Sequence, residues 1–295
     1  MSPAEIPASP ETARLLRAHL IAQERRGNLE TSIKKRRLAL RSFAQWLEPR
    51  SLLDATRQDI ETFLDARRGR DGRPIGGRTR YSWVSDFHVF YTWAVNEELA
   101  EKDPTLGIVR PKLRRNLPRP ISDDDLADAL AGAPPQMRAM LSLAAYQGLR
   151  CQEIAGLTRE DVLDTRDPAV LVIVRGKGGN QRIVPAHPDA LEALRCLPMP
   201  RSGPIFRLPK GSQHSPASVS VAVRRYFVEL GIEATAHQLR HWFGTGIYAA
   251  SRDIRLTQEL LGHQSPTTTS IYVAWAAVDA APAVAALTTR PKASA

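Results

Sequence analysis

The sequence predicts a mainly α-helical protein of two domains, with one small antiparallel β-sheet in the second domain. Apolar residues recur at helical spacing along most of the 295 residues. Two β-branched runs in the second half are separated by a glycine-rich turn, which is typical of a hairpin. Between the two parts, residues 106–120 contain three prolines and no acidic residue, which favours an extended linker. The expected domains are therefore residues 1–105 and 121–295.

The first domain is expected to contain four helices, because capping residues precede four runs of helical periodicity. The expected starts are Ser9-Pro10, Thr31, the capping box Thr56-x-x-Asp59, and the end of a loop at 67–77. The last helix carries Trp83, Phe87 and Phe90 at helical spacing. We interpret these aromatic residues as core rather than as a surface for stacking bases.

The second domain combines helices with the predicted hairpin. A helix capped by Ser122 leads to an apolar helix over Met137–Tyr146, which Gly148 stops. Ala169–Val174 and Arg182–Pro185 are the two expected strands. Further helices are expected near Pro188–Leu197, after Ser215-Pro216, from His237, from Asp253 and around Thr267–Val273.

Composition indicates a basic globular protein. The net charge is +10 and the pI is near 10.0, which favours a polyanionic partner. No apolar run approaches the roughly 20 residues that cross a bilayer, and the first residues lack the pattern of a signal peptide. We expect a cytoplasmic protein without a membrane partner. Two cysteines are too few for a disulfide framework.

Two basic clusters are candidates for contact with a nucleic acid backbone. The first is Lys34, Lys35, Arg36 and Arg37, for which an ordinary solvated helix face is the alternative. The second lies in the linker, which contains five basic residues and no acidic residue. Its members Arg110, Lys112, Arg114 and Arg115 could follow a duplex, or form a solvated connector.

Several side chains of the second domain could carry chemistry, although each alone is a weak signal. Arg150 follows a helix stop, but an arginine three residues before Glu153 is commonly half of a surface ion pair. Lys177 lies among glycines, where a plain flexible turn is the alternative; the order needed for a P-loop is missing. His237 and Arg240 are three residues apart and share a helix face. His263 and Tyr272 follow, and each alone would be read as structural.

Together these residue types suit transesterification at a phosphodiester without a metal. Two guanidiniums can bind the non-bridging oxygens and neutralise charge in the transition state. A tyrosine hydroxyl, whose pKa is ordinarily near 10, needs nearby positive charge or a base to act as nucleophile, which histidines can supply. A lysine is a suitable acid for a departing oxygen.

The order of the motifs resembles the catalytic domain of the tyrosine recombinases, the phage integrase family. The matching segments are Tyr146-Gln-Gly-Leu-Arg150-Cys-Gln-Glu153, Gly176-Lys177-Gly, His237-Gln-Leu-Arg240-His241, Leu261-Gly-His263 and Ile271-Tyr272. The resemblance covers about residues 121–280. The preceding helical domain is similar in size and position to the SAM-like core-binding domain of that family. The Val-Ala-Trp that follows Tyr272 is not the commonest continuation.

The resemblance implies a role for each matched residue. Arg150 and Arg240 would be the phosphate clamp, and Lys177 the acid for the leaving 5′ hydroxyl. His237 and His263 would support proton transfer. Tyr272 would form the 3′-phosphotyrosyl bond.

Two further residues would support the site, and neither a metal nor a cofactor is implied. Glu153 would buttress the site, and His241 would pack its helix.

The resemblance also implies double-stranded DNA as partner and a tetramer on paired sites, with an accessory bending or directionality factor as a further expected partner. The segment 274–287 would dock on a neighbouring protomer or pack on its own domain. We expect no arm-binding domain, because the chain begins only a few residues before its first expected helix, and its size is close to that of Xer-type recombinases. The resemblance implies a place in the bacterial cytoplasm or nucleoid. An integrase of a phage or mobile element, an Xer-type resolvase of chromosome dimers, a non-catalytic DNA-binding regulator and a type IB topoisomerase all remain open.

Overall fold

A computed structural model describes residues 9–28, 30–69, 71–112, 117, 119–163, 171–175 and 181–263, the backbone alone in 171–175. The chain divides into two compact units, Met1–Arg115 and Asn116–Ala295. The division falls within the predicted linker at 106–120.

The first unit is helical, as the capping signals predict. Its helices are α1 (Pro10–Arg25), α2 (Glu30–Leu47), α3 (Arg57–Ala66) and α4 (Gly77–Asn96), with a 3-10 turn at Leu52–Asp54. Ser9 caps α1 through its hydroxyl, and Thr56 and Asp59 form the predicted capping box of α3. These two local predictions, the Ser9 cap and the capping box of α3, are confirmed.

Aromatic side chains fill the core of the first unit. Phe43, Phe63, Phe87 and Phe90 are each at most 1% exposed, and the rings of the first three meet one another at tilted angles. Trp83 packs against this cluster from its edge. The interpretation of the α4 aromatics as core is therefore confirmed.

The second unit contains the remaining helices and one sheet. The helices are α5 (Asp123–Ala131), α6 (Pro135–Tyr146), α7 (Cys151–Gly156), α8 (Pro188–Arg195), α9 (Pro216–Glu229), α10 (Ala236–Ser251) and α11 (Ile254–Leu261). A 3-10 turn covers Arg159–Asp161. α6, α8 and α10 pack around a core that includes Leu143, Phe206 and Leu239. The helix expected around 267–273 lies outside the described residues.

The sheet has the predicted hairpin and one additional short strand. Its strands are β1 (Val162–Leu163), β2 (Leu171–Arg175) and β3 (Gln181–Pro185), antiparallel in the order β1-β2-β3. Ile173 pairs with Ile183 at the centre of the hairpin. The sequence predicts neither β1, which is two residues long, nor α7, which begins at Cys151. Within the part of the chain described here, no helix is long and apolar enough to span a membrane.

Candidate active site

Arg150 stands at the start of α7, immediately after a sharp turn. Gly148 makes this turn with φ +63°, a conformation that favours glycine, and a Cβ there would lie 2.5 Å from a ring carbon of Phe243. Arg150 is the N-cap of α7, and the carboxylate of Glu153 accepts from its backbone N–H at 2.8 Å. The Arg150 side chain is 37% exposed. The turn thus presents one guanidinium at the surface.

Arg240 lies on α10 and is almost fully buried. Its guanidinium donates to the main-chain oxygens of Gly148 and, at 2.6 Å, of Leu261. It therefore joins the turn before α7 to the end of α11. His237 lies one turn earlier on α10, on the same side as Arg240 by its spacing.

Glu153 is a buried carboxylate that lies within 4 Å of the guanidiniums of Arg150, Arg182 and Arg240. Its side chain is 2% exposed, and Arg182 binds it through two hydrogen bonds of 2.7 and 3.0 Å. Arg150 donates from its guanidinium to the same carboxylate at 3.0 Å, and Arg240 approaches it to 3.9 Å. Burial raises the pKa of Glu153, but the hydrogen bonds and charge of Arg182, with help from Arg150 and Arg240, lower it overall. Glu153 therefore stays ionised.

The C-terminus of α11 lies against the same arginines. Three consecutive carbonyl oxygens accept from three different guanidiniums: Leu260 from Arg182 at 2.8 Å, Leu261 from Arg240 at 2.6 Å, and Gly262 from Arg150 at 3.3 Å. Positive charge is favourable at a helix C-terminus, where carbonyl groups lack intrahelical partners. His263 follows at once, and its main-chain N–H donates to Gln258.

The histidines of the site are held neutral. Burial, followed by the charges of Arg240 and Arg150, lowers the pKa of His237. Burial and the charges of Arg240, Arg150 and Arg182, with His237, lower the pKa of His263 to about 3. His241 has its ring 4.3 Å from that of His237; burial, His237 and Arg240 lower its pKa to about 4. Neutral imidazoles beside guanidiniums can accept protons once an anion offsets the positive charge.

The structure brings together Arg150, Glu153, His237, Arg240 and His263. Lys177 and Tyr272 lie outside the described residues, as do Arg114 and Arg115 of the linker. In the sequence, Lys177 falls between the paired strands β2 and β3.

The basic cluster of α2 does not lie on one open face. Lys34 is exposed and pairs with Glu30 at 2.6 Å, while Lys35 pairs with Asp86 at 3.3 Å. Arg36 is turned inward: its side chain is 12% exposed and donates to Gln23 at 2.8 Å. Arg37 is exposed, as are Arg110 and Lys112 of the linker, and the Arg110 guanidinium lies over the ring of Tyr81 at 5.6 Å.

Sequence reasoning missed Arg182, which it placed only as the first residue of a strand. The available signal was the alternation of that strand. Val184 faces the core, so Arg182, two residues earlier, is on the same side of β3, while Ile183 between them is exposed. An arginine on the inner face of a strand needs a buried anion, and Glu153 is that anion.

Comparisons with known proteins identify the family of this chain. Residues 124–277 match the phage integrase family. The tyrosine recombinase XerC 2 of Ralstonia nicotianae is 32% identical over 283 residues, covering 88% of this chain and 81% of that protein. The fold and these matches define a tyrosine recombinase. The chain belongs to the phage integrase family, and with it to the site-specific recombinases.

Two solved structures share the fold. One is the XerH site-specific recombinase bound to palindromic difH substrate, in a post-cleavage complex; its TM-score is 0.68 at 20% identity, over 93% of this chain and 84% of that one. The other is a lambda integrase tetramer bound to a Holliday junction, with a TM-score of 0.66 at 19% identity, over 90% of this chain and 84% of that one.

Proposed function

We propose that this protein cuts and rejoins DNA at specific sites through a 3′-phosphotyrosyl intermediate on Tyr272. The observation that carries the proposal is the convergence of Arg150, Arg240, His237 and His263 at one place in the second unit. Among the described residues, one carboxylate, Glu153, lies within 4 Å of three guanidiniums, those of Arg150, Arg182 and Arg240. The cluster therefore suits a phosphodiester anion.

In the proposed reaction, Arg150 and Arg240 bind the scissile phosphate and stabilise the charge that develops in the transition state. The hydroxyl of Tyr272 attacks phosphorus and gives its proton to a neutral histidine. The bond to the 5′ oxygen breaks, and Lys177 protonates the leaving hydroxyl. The reverse reaction with another 5′ hydroxyl joins a new strand. Because each phosphodiester is exchanged for a phosphotyrosyl bond, the cycle needs no nucleotide hydrolysis.

The proposed substrate is double-stranded DNA in the bacterial cytoplasm. We assign Lys34, Lys35 and Arg37, with Arg110, Lys112, Arg114 and Arg115, to the DNA backbone. The inward position of Arg36 favours a role inside its own unit. Four protomers on two paired sites would complete an exchange, in keeping with the lambda integrase tetramer on a Holliday junction. An accessory bending or directionality factor belongs to the same proposal.

The setting we propose is integration and excision of a phage or mobile element. Resolution of chromosome dimers is the second candidate, favoured by the match to XerC 2 over most of both chains. Recovering the DNA site separates the two. A site in DNA that flanks the gene supports integration, whereas a single site elsewhere on the host chromosome supports resolution.

Covalent capture tests the activity and recovers the site together. The full chain is incubated with nicked duplex fragments drawn from the host chromosome and from the DNA around the gene. Adducts that survive detergent are then sequenced. We expect enrichment of one site, and loss of the adduct in Tyr272→Phe but not in the matched control Tyr248→Phe.

Three outcomes would contradict parts of the proposal. An adduct of full yield in Tyr272→Phe would remove Tyr272 as nucleophile. No adduct at all, with site-specific binding intact, would favour the non-catalytic regulator. Relaxation of plasmids that lack any enriched site would favour a type IB topoisomerase.

A further inference from the structure

We propose that Arg182 is a positioning residue of this site, one that keeps Arg150 and His263 available to the scissile phosphate. The inference rests on the proposed function. Arg182 belongs to β3 and its side chain is 12% exposed, so it lies beneath the surface that carries Arg150. It reaches two different parts of the site at once: the carboxylate of Glu153 and the end of α11.

The carboxylate of Glu153 has its acceptor positions filled. Its Oε1 accepts from Arg182 at 2.7 Å and from the Arg150 guanidinium at 3.0 Å. Its Oε2 accepts from Arg182 at 3.0 Å and from the Arg150 backbone N–H at 2.8 Å. A carboxylate offers about four lone-pair positions, so these four bonds fill it. Arg240, at 3.9 Å, is beyond hydrogen-bond distance.

Removing Arg182 would change the partners of Glu153. Two acceptor positions of a buried carboxylate would then open beside two cations, Arg150 and Arg240. Either guanidinium would move toward Glu153, because an ionised carboxylate in this environment requires partners. The guanidinium that would otherwise bind the phosphate would then pair with Glu153. Arg182 thus occupies two of the four acceptor positions, so that Arg150 makes a single guanidinium hydrogen bond to Glu153 and Arg240 stays at 3.9 Å from it.

Arg182 also binds the end of α11. Arg182 donates from Nε to the oxygen of Leu260 at 2.8 Å, three residues before His263. The Arg182 guanidinium occupies the space that a side chain at position 262 would need, because a Cβ on Gly262 would lie 2.7 Å from an Arg182 nitrogen. Gly262 has φ +61°, which ends α11 and turns the chain toward His263. The glycine of the Leu-Gly-His segment therefore makes room for Arg182.

The test uses Arg182→Gln, Glu153→Gln and the double variant in the full chain. The probe is a nicked duplex carrying the site recovered by covalent capture, and the measurements are the single-turnover rate of adduct formation and the Kd for the intact duplex. We expect Arg182→Gln to slow adduct formation about 10²-fold, the size of effect that follows a misplaced reactive group, with Kd nearly unchanged. Arg207→Gln removes an arginine whose hydrogen bonds within the described residues go to the main-chain oxygens of Pro204 and Gly211, and it should react like wild type.

The double variant distinguishes positioning from support of the fold. If unpaired Glu153 captures the clamp, neutralising it should restore adduct formation by about tenfold relative to Arg182→Gln, a coupling typical of contacting residues. An additive or larger loss in the double variant would overturn the inference, as would a wild-type rate in Arg182→Gln.

A conservative variant covers the case in which Arg182→Gln does not fold. Lys at position 182 keeps a charge but cannot bind both carboxylate oxygens as a planar fork. We expect Arg182→Lys to slow adduct formation, and Glu153→Gln to relieve that loss too; a wild-type rate would overturn the inference. If wild-type protein itself forms no adduct, the proposed function fails, and that result is distinct from a failure of the Arg182 variants alone.

Discussion

Arg240 donates a hydrogen bond from its guanidinium to the main-chain oxygen of Gly148, so the second arginine of the site holds the turn that carries the first. The same turn needs glycine on two counts, its positive φ and the nearness of Phe243. Phe243 belongs to α10, the helix of Arg240. The geometry of Arg150 thus depends on α10 through both a hydrogen bond and a packing contact.

Gly148→Ala should destabilise the second unit. A left-handed backbone with a Cβ, together with the clash against Phe243, is expected to cost about 2–4 kcal/mol of unfolding free energy. Thermal unfolding of the full chain measures it. Gly246→Ala is the matched control: it lies within α10 with no atom of the described residues within 4 Å of the added Cβ, and alanine there should be neutral or stabilising. Equal unfolding temperatures for the two variants would contradict this account of the turn.

Local signals predicted much of the fold. The caps at Ser9, Thr56 and Ser122 depend on a side chain that bonds to its own helix start, so neighbouring sequence is enough to find them. The hairpin likewise follows from two β-branched runs that pair across a short connection.

Tertiary contacts account for what the sequence did not predict. α7 was missed because its N-cap is Arg150 rather than a usual capping residue, although Glu153 occupies the N3 position that bonds back to the N-cap. An arginine and a glutamate three residues apart suggested a surface ion pair. In the structure Glu153 is buried because Arg182, on a strand 29 residues away, meets it there. Only the fold brings those two residues together.

Two variants, Arg150→Gln and Arg240→Gln, should have similar effects on catalysis but different effects on stability. Both are expected to slow adduct formation about 10²–10³-fold, the usual cost of losing a donor to the transition state. Arg240 is buried, and its loss leaves the oxygens of Gly148 and Leu261 without this donor, so unfolding free energy should fall by about 2–5 kcal/mol.

Arg150 is more exposed, and Glu153 keeps Arg182 when Arg150 is replaced. Its replacement should therefore change stability by less than about 1 kcal/mol. The rate of adduct formation and the free energy of unfolding in denaturant, measured on the same preparations of both variants, test these predictions. Equal losses of stability in the two variants would show that the difference in burial between Arg150 and Arg240 does not determine how much each contributes to stability.

His19 should make the first unit sensitive to acid. It is fully buried against Phe90 and Trp93, and among the described residues neither ring nitrogen has a hydrogen-bond partner. Burial, followed by the charges of Arg36 and Arg26, lowers its pKa to about 3. The unfolded chain binds a proton near pH 6.5 and the folded chain does not, so stability is lost as pH falls from about 6.5 toward 3.

His19→Leu should remove this dependence, because leucine fills the site without a proton to bind. We expect wild type to lose about 3 kcal/mol more than the variant between pH 7 and pH 4. Hydrogen exchange of the α1 and α4 amides in the full chain, followed across this range, localises the effect. A parallel loss in both proteins would assign the acid sensitivity to other groups.

Neutralising the linker should weaken DNA binding without changing which sequence is preferred. Replacing Arg110, Lys112, Arg114 and Arg115 with glutamine removes four of the five basic residues in 106–120. If each neutralises one phosphate, the slope of log K against log salt should become shallower by about 3–4, since each contact releases about 0.9 counterion. Backbone contacts carry no base information, so recovered-site and scrambled duplexes should lose affinity by the same factor. Fluorescence anisotropy at several salt concentrations measures both the slope and the loss of affinity.

An unchanged slope would place the linker away from the phosphates. A loss of affinity confined to the recovered site would mean that these side chains read bases.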